Sequence, residues 1–159
     1  GKVSGIALEN CLNSMVTLND KAADVFRQFE VHAVTDVTGF GLGGHALGMA
    51  RASNVNIEID TASLPLFDEA QLMYEKGFST GINLSNHIRL AEYAEFSMDI
   101  PASLTQMLSD PQTSGGLLTA VPAADSDKVL SALEESGVRS AVKIGHVSSL
   151  AEDRYLTFT

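Results

Sequence analysis

The chain has 159 residues, 45% of them hydrophobic and 19% charged, an ordinary composition for one globular domain with its own core. Ten Lys and Arg against twenty Asp and Glu give a net charge of −10, which argues against a nucleic-acid-binding surface, where a basic patch is required. A chain this acidic can approach a polyphosphate only through a cation such as Mg²⁺ or through local backbone amides. The lone cysteine, Cys11, cannot form an internal disulfide, so a reducing cytoplasm is expected. No apolar run approaches the roughly 20 residues of a membrane helix, so no membrane partner is expected. The opening Gly-Lys-Val-Ser lacks the order of a signal peptide and is compatible with a chain that begins partway through a longer protein.

Leu8, Cys11, Leu12 and Met15 fall at i, i+3, i+4 and i+7, one stripe of an amphipathic helix, and within that stripe Cys11 reads as a small hydrophobe. Asn19 or Asp20 is expected to cap a second helix with Ala22, Val25, Phe26 and Phe29 on its apolar side. Residues 32–36 read as a short strand ending on Asp36, followed by the glycine-rich run 37–45 as a turn, then a helix over 46–52 and a strand over 55–60. A helix is predicted over about 67–75 with Gly77 as terminator, a loop over 79–83, and a helix capped by Ser85 that carries Ile88, Ala91 and Ala94. Pro101 opens a helix with Leu104, Met107 and Leu108 on one face. The turn-rich run 110–116 leads into an apolar strand over 117–121. After Pro122, Val129, Leu130 and Leu133 mark a helix stopped by Gly137, and 142–147 and 155–158 read as strands. With no repeat and no long linker, residues 1–159 are expected to form a single domain. Its class is α+β: a layered α/β sandwich with a mixed sheet covered by helices.

Two segments could carry chemistry. In 36–45, Gly39, Gly41, Gly43 and Gly44 allow close backbone approach, and a helix that follows can aim several N–H groups at one anion. Asp36 adds a hard oxygen ligand for a Mg²⁺ that bridges to phosphate. The same glycines equally suit tight strand-to-helix packing, and Asp36 equally suits an N-cap; spacing alone leaves both open. No Lys follows the glycines, so this is no P-loop, and the spacing is not the dinucleotide fingerprint. In 110–116, Pro111, Thr113, Ser114, Gly115 and Gly116 form a turn that could offer hydroxyls and backbone, or simply feed the next strand. His32, His45, His87 and His146 show no metal-ligand spacing; His45 beside the glycines reads as a hydrogen-bonding group on the helix face.

The run Asp36-Val37-Thr38-Gly39-Phe40-Gly41-Leu42, with Gly44-His45, resembles the selenophosphate synthetase (selenide, water dikinase) family. So do Asp110-Pro111-Gln112-Thr113-Ser114-Gly115-Gly116-Leu117-Leu118 and the order of the parts, with 15–19 upstream and 81–86 between. The resemblance implies the C-terminal domain of the aminoimidazole ribonucleotide synthetase-like superfamily. Such an enzyme uses ATP, selenide and water to make selenophosphate, AMP and phosphate. It further implies that an N-terminal domain binds most of the ATP and Mg²⁺, carries the catalytic Cys or selenocysteine and an essential Lys, and forms a homodimer. The C-terminal domain closes over the phosphates. Carried over by position, Asp36 is a metal ligand and Thr38, Gly39 and Gly41 lie beside the phosphates; no residue of this chain is implied as catalytic. Gly43 stands where a bulkier apolar residue is common, and the run 79–86 lacks the Gly-Thr and basic pair often found there, so no contact is carried over from it. A purine-biosynthesis relative and a non-catalytic anion-binding module remain the alternatives.

Overall fold

The computed structural model describes residues 2–151 and 154–159. Helix α1 (Gly5–Val16) is capped by Ser4, whose Oγ accepts from the Ala7 amide at 3.1 Å. α2 (Asp20–Phe26) follows, then strand β1 (Ala33–Asp36), helix α3 (Gly41–Ser53) and strand β2 (Val55–Ile59). α4 (Ala70–Glu75), α5 (Asn83–Ala91), β3 (Ala94–Phe96), α6 (Ala102–Met107) and β4 (Leu117–Ala120) make up the middle of the chain. α7 (Ser126–Glu135), β5 (Gly145–Ser149) and β6 (Leu156–Phe158) complete it. Among the described residues no helix is long and apolar enough to cross a membrane.

The expected α+β class with helices covering a mixed sheet is what the chain adopts, with the strands divided between two sheets. Four strands run in the order β3-β6-β2-β5, parallel within β3-β6-β2 and antiparallel between β2 and β5. β1 and β4 form a separate antiparallel pair with Asp36 opposite Leu117. The larger core lies where α3 covers the four-stranded sheet: Ala46 and Ala50 of the helix are fully buried, as are Ile59, Leu156 and Phe158 of the strands. Burying each of the three large side chains stabilises the fold by about 1.5–3 kcal/mol. Alanines on the buried face of α3 let the helix sit close to the sheet. A second cluster joins α2 to α7 through Ala22, Val25, Val129 and Leu133, the stripes expected for both helices.

Several local readings change. α3 begins at Gly41, five residues before the predicted start, so Gly41, Gly43 and Gly44 lie in the first turn of the helix and only Gly39 and Phe40 remain in a turn that precedes it. α5 begins at Asn83 with Ile82 at its N-cap; Ser85 lies inside, its hydroxyl donating back to Ile82 O at 2.9 Å. Ala94 belongs to β3, paired with Leu156. The strand predicted over 142–147 starts only at Gly145 and runs on to Ser149. Gly77 and Gly137 do follow helix ends at positive φ, 80° and 92°, as their terminator roles require. On α1 only Ala7 is buried, while Leu8 and Leu12 are each 51% exposed, so the stripe borders a groove of about 1760 Å³ instead of packing into it.

Candidate functional site

The β1–β4 pair brings together the two glycine-bearing segments singled out in the sequence. Because Asp36 ends β1 opposite the first residue of β4, the chain leaves one strand where it enters the other. Three backbone bonds then lace the segments. Val37 N donates to Gly116 O at 2.9 Å, Gln112 N to Thr38 O at 3.0 Å, and Gly43 N to Leu108 O at 2.8 Å. The approach is close enough to demand glycine at two places. A Cβ on Gly115 would stand 2.1 Å from Val37 O, and one on Gly41, where φ is +71°, would stand 2.7 Å from the Ser109 carbonyl carbon.

Side chains tighten the same junction. Thr38 N donates to His45 Nε2 at 3.0 Å, and the Thr38 hydroxyl lies 3.1 Å from that nitrogen. An acceptor nitrogen carries no proton, so the His45 proton sits on Nδ1. His45 is therefore a hydrogen-bonding group on the helix face, as its position suggested. Asn19 at the N-cap of α2 makes no side-chain cap bond and instead donates Nδ2 to Gly115 O at 2.9 Å. Asp110 accepts from the Tyr74 hydroxyl on one carboxylate oxygen and from Gln112 Nε2 at 3.1 Å on the other. Burial first, and then the hydrogen bond and charge of Asp110, push the Tyr74 phenol well above its ordinary pKa, because both disfavour a phenolate.

Asp36 is different from these. It is exposed, and its carboxylate makes no hydrogen bond among the described residues. The capping alternative fails, since the N-cap of α3 is Phe40, four residues further on, with no side-chain cap bond. The amides of Gly41 and Gly43 are spent on Thr38 O and Leu108 O, whereas those of Gly39, Phe40 and Leu42 take no partner among the described residues. In sequence, this carboxylate precedes by five residues the start of a 13-residue helix whose first turn retains N–H groups without a partner among the described residues. Among the described residues no group of three or more His, Cys, Asp or Glu could hold a metal ion unaided. Asp36 suits Mg²⁺ only as one ligand of a shared site, the usual case for an ion that keeps its waters and phosphate oxygens.

Residues 5–154 match the family model for AIR synthase related protein, C-terminal domain. This chain belongs to that family. It is 38% identical over 151 residues to a selenide, water dikinase of Myxococcus xanthus, a match covering 94% of the chain and 43% of the relative. Selenide, water dikinases of Clostridioides difficile and Bdellovibrio bacteriovorus are 35% and 42% identical, covering 99% and 86% of the chain. The chain spans less than half the length of these relatives, 45% and 39% for the latter two.

The AIR synthase related domain also uses residues that sequence reasoning passed over. Asn83, 3% exposed, donates Nδ2 to Gln106 O at 2.9 Å and to the Tyr74 hydroxyl at 3.3 Å. Asn86 donates Nδ2 to Gly39 O at 2.9 Å and to Ser109 O at 3.2 Å, reaching the first segment and the residue just before the second. The run 79–86, from which no substrate contact was carried over, thus supplies side chains that pack the junction from within the chain. The available signal was two asparagines at i and i+3 on a helix; it was obscured because Leu84 and Ile88, the apolar choices for an inward face, point to solvent at 68% and 57% exposure.

Proposed function

We propose that this chain is the C-terminal domain, residues 1–159, of a selenophosphate synthetase that converts ATP, selenide and water to selenophosphate, AMP and phosphate. The observation that carries the reading is that Asp36, exposed and unpartnered among the described residues, ends β1 five residues before α3, whose first turn keeps unpartnered amides. The names of the relatives support the same activity over the purine-biosynthesis alternative. In this reading Asp36 is one oxygen ligand of a Mg²⁺ held jointly with an N-terminal domain, and Thr38, Gly39 and Gly41 form the wall beside the ATP phosphates. The bound ion neutralises charge that develops on the transferring phosphoryl oxygens. The domain's own part is to present one carboxylate and a set of fixed amides and to close over the phosphates. The N-terminal domain supplies most of the nucleotide site and the homodimer contact, and the full-length protein works in the cytoplasm.

The test is Asp36→Asn in the full-length protein, which keeps the shape and removes the charge. Selenide-dependent ATP turnover should fall about a hundredfold or more, the range found when one electrostatic partner of a transition state is removed. The melting temperature should hardly move, because no described residue bonds to that carboxylate. Near-normal turnover at limiting Mg²⁺ would remove Asp36 from the metal site.

A further inference from the structure

Helix α5 turns two asparagines and a histidine inward beside its buried leucine. Asn83, Asn86, His87 and Leu90 stand at i, i+3, i+4 and i+7 and face the protein, with Asn83 3% and Leu90 1% exposed. Leu84 and Ile88 face outward. Burial of Leu90 favours this face, whereas Leu84 and Ile88 stay outside, so the inward asparagines are held by their bonds. Asn83 fastens α5 to Gln106 O and the Tyr74 hydroxyl. Asn86 lies one turn further along, half-buried, against the first glycine segment and Ser109, the residue just before the second. Both of its partners are carbonyl oxygens, which only accept, so the carboxamide nitrogen must be the group facing them. Each N–H of that nitrogen is thereby used, one on Gly39 O and one on Ser109 O.

We propose that Asn86 is a positioning residue, a two-pronged staple that fixes the distance and orientation of 36–45 relative to 109–116 and so holds Asp36 and the free amides of Gly39, Phe40 and Leu42 in working geometry. The inference deepens the phosphoryl-transfer reading and rests on it for its kinetic consequence, but the staple itself rests on geometry. Gly39 is where the staple acts. Gly39 is exposed, a Cβ on it would meet nothing within 4 Å, and its carbonyl is held through Asn86. On the other side, Ser109 is fully buried and its carbonyl carbon lies against Gly41, so the second prong ends on an immobile anchor. A side chain that served only to seat α5 would have no use for a bond to the exposed Gly39.

The experiment uses the full-length protein with Asn86→Ala, the near-isosteric Asn86→Asp, Asn86→Gln as the variant that keeps both donors, and Leu84→Ala on the outer face as control. Amide hydrogen exchange of the peptides covering 37–43 and 108–116 is measured beside kcat and KM for ATP. The Ala and Asp variants should exchange faster in both peptides, Asp more so because its carboxylate faces two carbonyl oxygens. Their kcat/KM should fall about 10- to 100-fold, the cost of misplacing a site by about 1 Å. Melting temperatures of the Ala and Asp variants should fall several degrees below that of Leu84→Ala, from the two lost bonds, without loss of the folded state, and Asn86→Gln should recover part of all these losses. Unchanged exchange in the Ala and Asp variants would overturn the staple, as would kcat/KM within about twofold of wild type in a turning-over enzyme. If exchange rises as expected while the wild-type protein shows no selenide-dependent turnover, the staple is supported and the activity reading alone fails.

Discussion

Gly115→Ala tests whether the two glycine segments are locked together as tightly as the geometry demands. The added methyl would lie 2.1 Å from Val37 O and 3.1 Å from both Val37 C and Gln112 Cβ. The obstacle is backbone, which cannot swing aside as the tip of a side chain can. Val37 cannot retreat either, because its N–H is bonded to Gly116 O at 2.9 Å and its neighbour Asp36 is paired with Leu117. Overpacking of this kind costs about 1–3 kcal/mol. Stretching the Val37–Gly116 bond adds about 0.5–1.5 kcal/mol. The expected total is about 2–4 kcal/mol, or a fall in Tm of about 5–15 °C for a domain of this length. Gly39→Ala and Gly116→Ala are the controls: a methyl at either place meets nothing within 4 Å, so each should stay within about 0.5 kcal/mol of wild type. Thermal unfolding followed by circular dichroism reads all three. A Gly115→Ala protein melting within about 2 °C of Gly39→Ala, a shift worth well under 1 kcal/mol, would refute the tight junction.

This chain alone should show no selenide-dependent ATP turnover, since its relatives are more than twice as long and its single thiol, Cys11, lies within the apolar stripe of α1; coupled turnover well above a no-enzyme control would contradict this. Leu12→Glu should leave the stability of the chain within about 0.5 kcal/mol, because Leu12 is already 51% exposed, while sedimentation moves toward monomer if copies associate through α1. A loss of several kcal/mol would instead place Leu12 in the core.

The order strand, glycine run, helix, strand was legible because those elements announce themselves locally: alternation in 55–60, an alanine-rich period in 46–52, terminators at Gly77 and Gly137. The start of α3 was hidden because glycine disfavours helix interiors, and only tertiary packing, Gly43 against Leu90 and Leu108, draws Gly41, Gly43 and Gly44 into the helix. Asp36 and the two segments could be named from sequence; that they touch could not, since the bonds joining them, such as Val37–Gly116 and Gly43–Leu108, link residues far apart along the chain. The inward face of α5 was misread for a different reason. Hydrophobic periodicity selects Ile88 and Ala91, but four hydrogen bonds from Asn83 and Asn86 outweigh it. Periodicity fails there because the helix is oriented by polar contacts with the candidate site, and such sites are where local rules are most often overridden.

Tyr74 gives that polar network a signature in pH. Its phenol is held well above the ordinary value of about 10 by burial and by Asp110, so the folded chain keeps a proton that the unfolded chain releases as pH rises past 10. The unfolded state then binds fewer protons than the native state, and stability must fall with increasing pH from about pH 10 upward. One proton gives a slope of at most about 1.4 kcal/mol per pH unit, and partial solvent access to the ring reduces it. Below pH 9 the two states hold the same proton and Tyr74 contributes no slope. Tyr74→Phe removes the titrating group, so its urea-unfolding free energy should be flatter than that of wild type between pH 9.5 and 11, after an offset at neutral pH from the lost bonds to Asp110 and Asn83. Subtracting the two curves isolates Tyr74 from every other group that titrates in alkali. Parallel curves across that window would mean that the phenol ionises as freely in the folded chain as in the unfolded one, and that the Tyr74–Asp110 contact does not hold the second segment in place.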